Sequence, residues 1–272
     1  MPVALVTGCS SGIGFDTARE LARRGHTVYA GVRGELEKVQ REISDGGQGG
    51  ITVIQLDVTS EEEARQAVAR IAEAHGTIDF LVNNAGVSMF AAIEQVSLDQ
   101  DRRMFETNYF GPLRLIRLVL PLMRAHGARR IVNVSSGAGW IPTPYLSTYS
   151  ATKHALDAMT FCLAAETHDQ GIKYTIISPG GYNSGVGGKL WQPEHATIEG
   201  TSYAATREAH LARWWKHVQG RDPREVALAI ADCLESGNPP IRVFVGDDIQ
   251  GPAQLRYTSD DETVLRYLIA SV

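Results

Sequence analysis

The chain is expected to form one doubly wound α/β domain with a mainly parallel sheet, on three observations. A short apolar run, Val3–Val6, leads through a glycine-rich turn into a helical pattern. Apolar runs and helical patterns then alternate, and the runs end in polar residues that would share one sheet edge. Finally, Tyr149-Ser150-Ala151-Thr152-Lys153 opens a helical segment extending to His168. Its tyrosine and lysine are four residues apart and share a helical face. A cation beside a phenol favours the phenolate, so the hydroxyl can exchange a proton near neutral pH. A surface Tyr/Lys pair is the plain alternative when that spacing is taken alone.

The first unit is Val3–Val6, Thr7, and Gly8-Cys9-Ser10-Ser11-Gly12-Ile13-Gly14, with a helix from Gly12 to Arg24. Glycines let backbone approach a ligand, and helix N-terminal amides favour an anion, so the turn suits a phosphate. The spacing is not the Gly-x-Gly-xx-Gly of the longer dinucleotide enzymes, and no Lys-Ser/Thr follows as in a nucleotide triphosphatase.

His26–Val32 is the second strand. It ends without the carboxylate that would bind an NAD ribose, and Arg33 follows directly. Arg33 suits the extra phosphate of NADP, with Ser10 as a second donor; a surface arginine is the alternative. Glu35 is placed in the next helix. Ile51–Leu56 ends at Asp57, which is either an adenine partner or a loop cap, and Thr59-Ser60 cap a helix to His75. Ile78–Val82 ends in Asn83-Asn84-Ala85-Gly86, where asparagines can knit loops and small residues let a flat ligand pass. A long helical stretch, Leu98–His126, holds Asn108 among apolar neighbours, with Pro112 and Pro121 as candidate kinks. Asn108 therefore needs buried partners, for structure or for chemistry. Arg130–Val134 ends at Ser135-Ser136, and Ile172–Ile177 ends at Ser178-Pro179-Gly180-Gly181-Tyr182-Asn183-Ser184. A helix from Asp222-Pro223 to Leu234, a strand Ile241–Val245 and a partly apolar tail (Val264, Leu265, Tyr267, Leu268, Ile269) complete the chain.

Composition narrows the function. The 272 residues carry a net charge of −5 and no basic block beyond Arg129-Arg130, which argues against nucleic-acid binding. Cys9, Cys162 and Cys233 are too far apart for a zinc cluster or disulfide framework, and are read as buried or half-buried free thiols. No metal site is expected. No apolar run is long enough for a bilayer and no leader precedes the first strand, so a cytoplasmic protein is expected. The cluster Gly46–Gly50 reads as a loop.

The ordered set Thr7-Gly8-xxx-Gly12-x-Gly14, Asp57, Asn83-Asn84-Ala85-Gly86, Asn108, Ser136, Tyr149-xxx-Lys153 and Pro179-Gly180 closely resembles the short-chain dehydrogenase/reductase family. Ser136 is preferred to Ser135 because it lies thirteen residues before Tyr149. The glycine loop with Tyr29-Ala30-xx-Arg33 is similar to the NADP-preferring 17β-hydroxysteroid and retinol dehydrogenase branch. The resemblance implies a Rossmann-like sheet in the order 3-2-1-4-5-6-7 and a homodimer or homotetramer built on the Asn108 and Tyr149 helices. It implies hydride exchange between NADP(H), or NAD(H), and a small-molecule carbonyl or secondary alcohol. Tyr149 would be the general acid or base. Lys153 would lower its pKa and hold the ribose, Ser136 would bind the substrate oxygen, and Asn108 would anchor a water chain. Gly8, Ser10, Ser11, Gly12, Ile13, Gly14, Arg33, Asp57, Val58, Asn84, Ala85, Gly86, Pro179, Gly180, Tyr182 and Ser184, with Tyr149 and Lys153, would hold the cofactor. Tyr182 and Ser184 depart from the family's aliphatic residue and threonine, which implies a different shape near the nicotinamide.

Residues 185–220 carry no family signature. The corresponding segment in the family covers the substrate. Here it holds Trp191, Trp214 and Trp215, with His195, His210 and His217. The tryptophans suggest an apolar substrate, or else pin the segment to the body or to a second subunit. The histidines are expected to be solvated. A non-catalytic dinucleotide sensor or scaffold is the rival from another class; the joint presence of Asn108, Ser136, Tyr149 and Lys153 speaks against it.

Overall fold

A computed structural model describes residues 1–45, 50–126, 129–182, 190–195, 197–218 and 221–271. The glycine cluster at 46–49, Ser184, the 185–189 part of the variable segment and the His217 side chain lie outside the described residues.

Seven strands form one sheet in the order β3-β2-β1-β4-β5-β6-β7. They are β1 Val3–Thr7, β2 Thr27–Val32, β3 Ile51–Gln55, β4 Phe80–Asn83, β5 Arg129–Val134, β6 Ile172–Pro179 and β7 Arg242–Val245. Every pairing is parallel, for example Val6 with Ala30 on one side and with Val82 on the other. Such strands are covered on both faces, which is why β1 is a continuous apolar run with all its residues buried. Alternation divides that run between two cores. Ala4 and Val6 join Ala18 and Leu21 of α1 (Gly12–Arg23) and Val226 and Ile230 of α8 (Arg224–Glu235). Val3 and Leu5 join Ile71 of α3 (Glu61–His75) and Leu115, Ile116 and Val119 of α5 (Gly111–His126). Because all strands run the same way, their carboxyl ends meet at one edge. The order reverses beside β1, and that opens a crevice there.

Three expectations change. The long helix is divided into α4 (Leu98–Phe105), a π-helical turn Glu106–Phe110, and α5. The distortion lies ahead of Pro112, and α5 continues through Pro121. Glu35 is not inside α2 (Leu36–Ser44); it caps the helix in a left-handed conformation, φ 52°. Cys162 is exposed on α6 (Ser147–Glu166), whereas Cys9 and Cys233 are buried. Ser60 caps α3 as expected, its hydroxyl accepting from the Glu63 amide.

Three further α-helices among the described residues are α7 (Tyr203–Val218), α9 (Asp247–Thr258) and α10 (Asp261–Ala270). The apolar tail folds back on the body: Val264 packs with Ile141 and Ile249. Among the described residues no helix is long and apolar enough to cross a membrane.

Candidate active site

The carboxyl edge of the sheet opens into a cavity of about 1080 Å³. Its lining runs from the glycine turn and Arg33, past Asn84–Gly86, to Ser136, Tyr149, Lys153, Trp191 and Trp214.

The glycine turn is shaped by close approach. Gly8 has φ +72°, and a Cβ there would lie 2.8 Å from the Ala85 Cα. A Cβ on Gly14 would lie 2.4 Å from the Asn84 Nδ2 and 2.6 Å from the Gly8 carbonyl oxygen. Gly12, also at positive φ, opens α1 behind Ser11. Thr7 Oγ1 accepts from the Asn84 and Ala85 amides, both at 3.0 Å, and the Asn84 side chain donates to the Thr7 carbonyl at 2.8 Å. Asn84 is therefore engaged in fastening two loops together, while its neighbours Ala85 and Gly86 form cavity wall. Gly8, Ser10, Ser11 and Ile13 line the same end, and Gly12 and Gly14 shape it from behind.

At the far end Arg33 is exposed, and among the described residues its guanidinium has no ion-pair partner. Glu35, the next acid along the sequence, lies 3.4 Å from Lys38. Asp57 is a loop cap, its Oδ1 accepting from the Thr59 amide (2.9 Å) and hydroxyl (2.8 Å). Asp57 and Val58 also line the cavity, and Val58 packs on Gly111.

Tyr149 and Lys153 project from α6, and Ser136 from the end of β5. Ser136 Oγ accepts from the Ala138 amide at 3.1 Å. Lys153 is buried; its Nζ donates to the Val134 carbonyl at 2.8 Å and stands 5.7 Å from the Tyr149 ring centre. Burial pushes the lysine down to about 8, against a pull upward from Asp157. Burial also raises the Tyr149 phenol, a hydrogen bond with Ser136 opposes this, and the Asp157 charge adds to the rise. The depressed phenol expected from the Tyr/Lys spacing is thus not what the protein alone produces.

Asn108 lies in the π-helical turn. Its Oδ1 accepts from the Val87 amide and its Nδ2 donates to the Val87 carbonyl, both at 2.9 Å, and Nδ2 also reaches Thr152 Oγ1 at 3.1 Å. A Cβ on Gly86 would stand 3.4 Å from the Asn108 Oδ1 and 3.7 Å from the Lys153 Nζ, so the three meet at one point. A π-turn is a common device for aiming one side chain at a site.

Pro179 and Gly180 end β6 on the cavity wall. Tyr182 is buried; its hydroxyl donates to Glu225 at 2.7 Å and its ring packs under Arg221 at 5.7 Å. Burial followed by the Glu225 contact raises this phenol well above its ordinary value. The bulk of Tyr182 is thereby taken up by the core.

Sequence reasoning missed Asp248. Its carboxylate accepts from the Gly181 amide at 2.7 Å, pairs with Arg221, and fills the space a Cβ on Gly180 would need. No local motif signals it, because its partners are distant in the chain. His210 is also corrected: it is buried, not solvated. Its Nδ1 donates to the Ser271 carbonyl at 2.8 Å, and its ring packs on Phe90 (5.5 Å) and Tyr145 (5.8 Å). Burial pushes its pKa down, towards the neutral ring. His195 is exposed. Trp191 donates its amide to the Ser88 carbonyl at 3.0 Å and lines the cavity with Trp214, while Trp215 packs edge-on to Trp214. Among the described residues no cluster of histidine, cysteine and acidic side chains could hold a metal ion.

Comparison with known proteins shows the family and the fold. The family model described as short chain dehydrogenase matches residues 2–195. The 3-ketodihydrosphingosine reductase of Bacteroides thetaiotaomicron is 33% identical over 249 residues, covering 91% of this chain and 89% of the relative. Bovine retinol dehydrogenase 8 is 35% identical over 249 residues, covering 88% and 79%. A short-chain dehydrogenase structure from Streptomyces avermitilis superposes with a TM-score of 0.85 at 30% identity, covering 99% and 97%. The alcohol dehydrogenase of Thermococcus sibiricus, solved with 5-hydroxy-NADP, has a TM-score of 0.74 at 25% identity, covering 92% and 98%.

Proposed function

The chain belongs to the short-chain dehydrogenase family, and from that premise we propose an NADP(H)-dependent oxidoreductase acting on the carbonyl, or the secondary alcohol, of an apolar small molecule. One observation carries the reading. One cavity is lined both by Ser136, Tyr149 and Lys153 and by Arg33, which follows β2 where that strand ends at Val32 and whose guanidinium has no ion-pair partner among the described residues.

The glycine turn is compatible with a dinucleotide: Gly8, Ser10, Ser11 and Ile13 line the cavity, and the missing side chains of Gly8 and Gly14 let the turn pack closely on Asn84 and Ala85. Residues 8–14 would hold the pyrophosphate, Arg33 and Ser10 the 2′-phosphate, Asp57 and Val58 the adenine end, and Pro179, Gly180, Tyr182 and Ser184 the nicotinamide. The cofactor, when bound, supplies the hydride. The protein supplies the proton and the orientation. Tyr149 gives its phenolic proton to the carbonyl oxygen, and Ser136 donates a hydrogen bond to the charge developing there. The Lys153 ammonium stabilises the phenolate that results, and Asn108 holds the Val87 loop where protons are resupplied. In alcohol oxidation Tyr149 is the base.

Around the reacting end, Phe90, Ile141, Leu146, Leu190, Trp191 and Trp214 make an apolar wall. It suits a steroid-, retinoid- or aromatic-ketone-like substrate; of the two relatives, one is named for retinol and the other for a 3-ketodihydrosphingosine. Leu190, Trp191, His210 and Trp214, the described residues of the 185–220 segment on the cavity wall, would cover the substrate and exclude water. Phe110 and Phe161, 44% and 46% exposed on the Asn108 and Tyr149 segments, suit burial in a homodimer or homotetramer.

The test is a titration with NADPH and NADH followed by nicotinamide fluorescence, on wild type and Arg33→Ala. NADPH is expected to bind at least ten-fold tighter, about 1.4 kcal/mol, and Arg33→Ala to lose that margin. Equal affinities would favour the same chemistry with NAD.

A further inference from the structure

A buried ion pair stands directly behind the catalytic end of the cavity. Asp157 lies one turn beyond Lys153 on α6, four residues along the same face. Lys153 and Asp157 are only 4% and 5% exposed. Asp157 Oδ2 accepts from Arg242 Nη1 at 2.8 Å, and the same nitrogen donates to Ser178 Oγ at 2.8 Å. The guanidinium is held over the Trp140 ring at 4.9 Å, with Phe244 at 5.6 Å and Phe161 at 5.8 Å. Trp140 is fixed in turn by its Nε1, which donates to the Ala253 carbonyl at 3.2 Å.

Gly139 permits the close approach. A Cβ there would lie 2.6 Å from Ser135 Oγ, 3.0 Å from Lys153 Cβ and 3.1 Å from Asp157 Oδ2. Lys153 faces the large cavity, while Asp157 and Arg242 border a second one, of about 430 Å³, shared with His154, Arg256 and Tyr257. The charged and titratable groups around Asp157 are thus Tyr149, Lys153 and His154 on its own helix, Arg242 from β7, and Arg256 and Tyr257 of α9 across the second cavity. A lysine ammonium has three donors, and the hydrogen bond described for Lys153 goes to a neutral carbonyl. The carboxylate that faces it is Asp157.

We propose that Asp157, anchored by Arg242, is a positioning residue for the reaction: it is the buried counter-ion that keeps the Lys153 ammonium charged and aimed at Tyr149. The inference rests on the catalytic role given to Lys153 above. Two charge effects point the same way. Burial pushes Lys153 down and Asp157 pulls it up. Burial pushes Asp157 up, and the Arg242 charge holds it back towards the ionised form. The arrangement sets a carboxylate beside a cation that desolvation opposes, and the Arg242 charge favours the ionised form of that carboxylate.

The chain has five lysines, Lys38, Lys153, Lys173, Lys189 and Lys216. Labelling their Cε with carbon-13 therefore gives a spectrum in which Lys153 is assigned by Lys153→Arg and titrated directly, without turnover. Asp157→Asn is expected to lower the Lys153 midpoint by about one pH unit or more, and to move the high-pH limb of carbonyl reduction by the same amount. Asp157→Glu should restore both. Because Asp157→Asn leaves Arg242 buried without its partner, the double variant Asp157→Leu/Arg242→Met is measured alongside; it removes both charges at similar volume. The same fall in the Lys153 midpoint is expected there. An unchanged midpoint in a folded double variant would overturn the proposal and make the pair purely structural. Failure of the functional reading has a different signature: the Lys153 midpoint moves, but wild type with NADPH reduces no carbonyl.

Discussion

Tyr149→Phe is expected to lower carbonyl reduction by about 10²–10⁴-fold while NADPH affinity and thermal stability stay close to wild type. The substitution removes one hydroxyl whose hydrogen bond is to Ser136, and keeps the ring that packs beside Met89 and Trp191. The loss should therefore fall on kcat. Steady-state kinetics, fluorescence titration and a melting curve on the same preparation check the three parts. The pH profile of the wild type adds a signature. Lys153 is charged below about 8 and loses its proton above that value. If the ammonium stabilises the tyrosine's phenolate, kcat/KM for reduction holds at lower pH and declines as pH rises through about 8. A profile that rises through this range would contradict the role given to Lys153.

Gly14→Ala carries the other large expected effect. The new methyl would lie 2.4 Å from the Asn84 side-chain nitrogen and 2.6 Å from the Gly8 carbonyl. Gly8 is backbone, and the Asn84 nitrogen is tied to the Thr7 carbonyl at 2.8 Å, so neither yields freely. The loop must shift away from α1, which spoils the cradle and breaks the fastening between the two loops. A stability loss of about 1–3 kcal/mol is expected from overpacking of this kind, together with loss of measurable NADPH binding. Denaturant unfolding and fluorescence titration separate the two. Gly25→Ala is a useful control, because a Cβ there meets nothing within 4 Å, although its φ of +89° adds some strain.

What was legible in the sequence followed from local chemistry. Parallel strands covered on both faces appear as unbroken apolar runs, so all seven were found, with ends displaced by a residue or two. Tyr149 and Lys153 declare themselves because both sit on one helix at a spacing that brings them together. The π-turn at Asn108 was not legible, since the same residue types suit an α-helix; the two hydrogen bonds to Val87 accompany the altered turn. Asp248 and Arg242 were missed because their partners, Gly181 and Asp157, are far away in the chain. His210 was misjudged because α7 has no pronounced apolar face to indicate which side packs inward, and its cover comes from Phe90, Tyr145 and Ser271. Asp57 satisfied the loop-cap reading while still lining the cavity.

The most direct test of the central claim is transfer of deuterium. Wild-type protein would be incubated with NADPH carrying deuterium at both C4 positions and with apolar carbonyls, including retinal, an aromatic ketone and a long-chain 3-keto lipid. The alcohol product would then be examined by mass spectrometry. The proposed function predicts one deuterium in the product alcohol for at least one of these carbonyls, and none with Tyr149→Phe over the same time. Tight NADPH binding with no deuterium in any product would contradict it, and would make the chain a dinucleotide-binding module rather than an oxidoreductase.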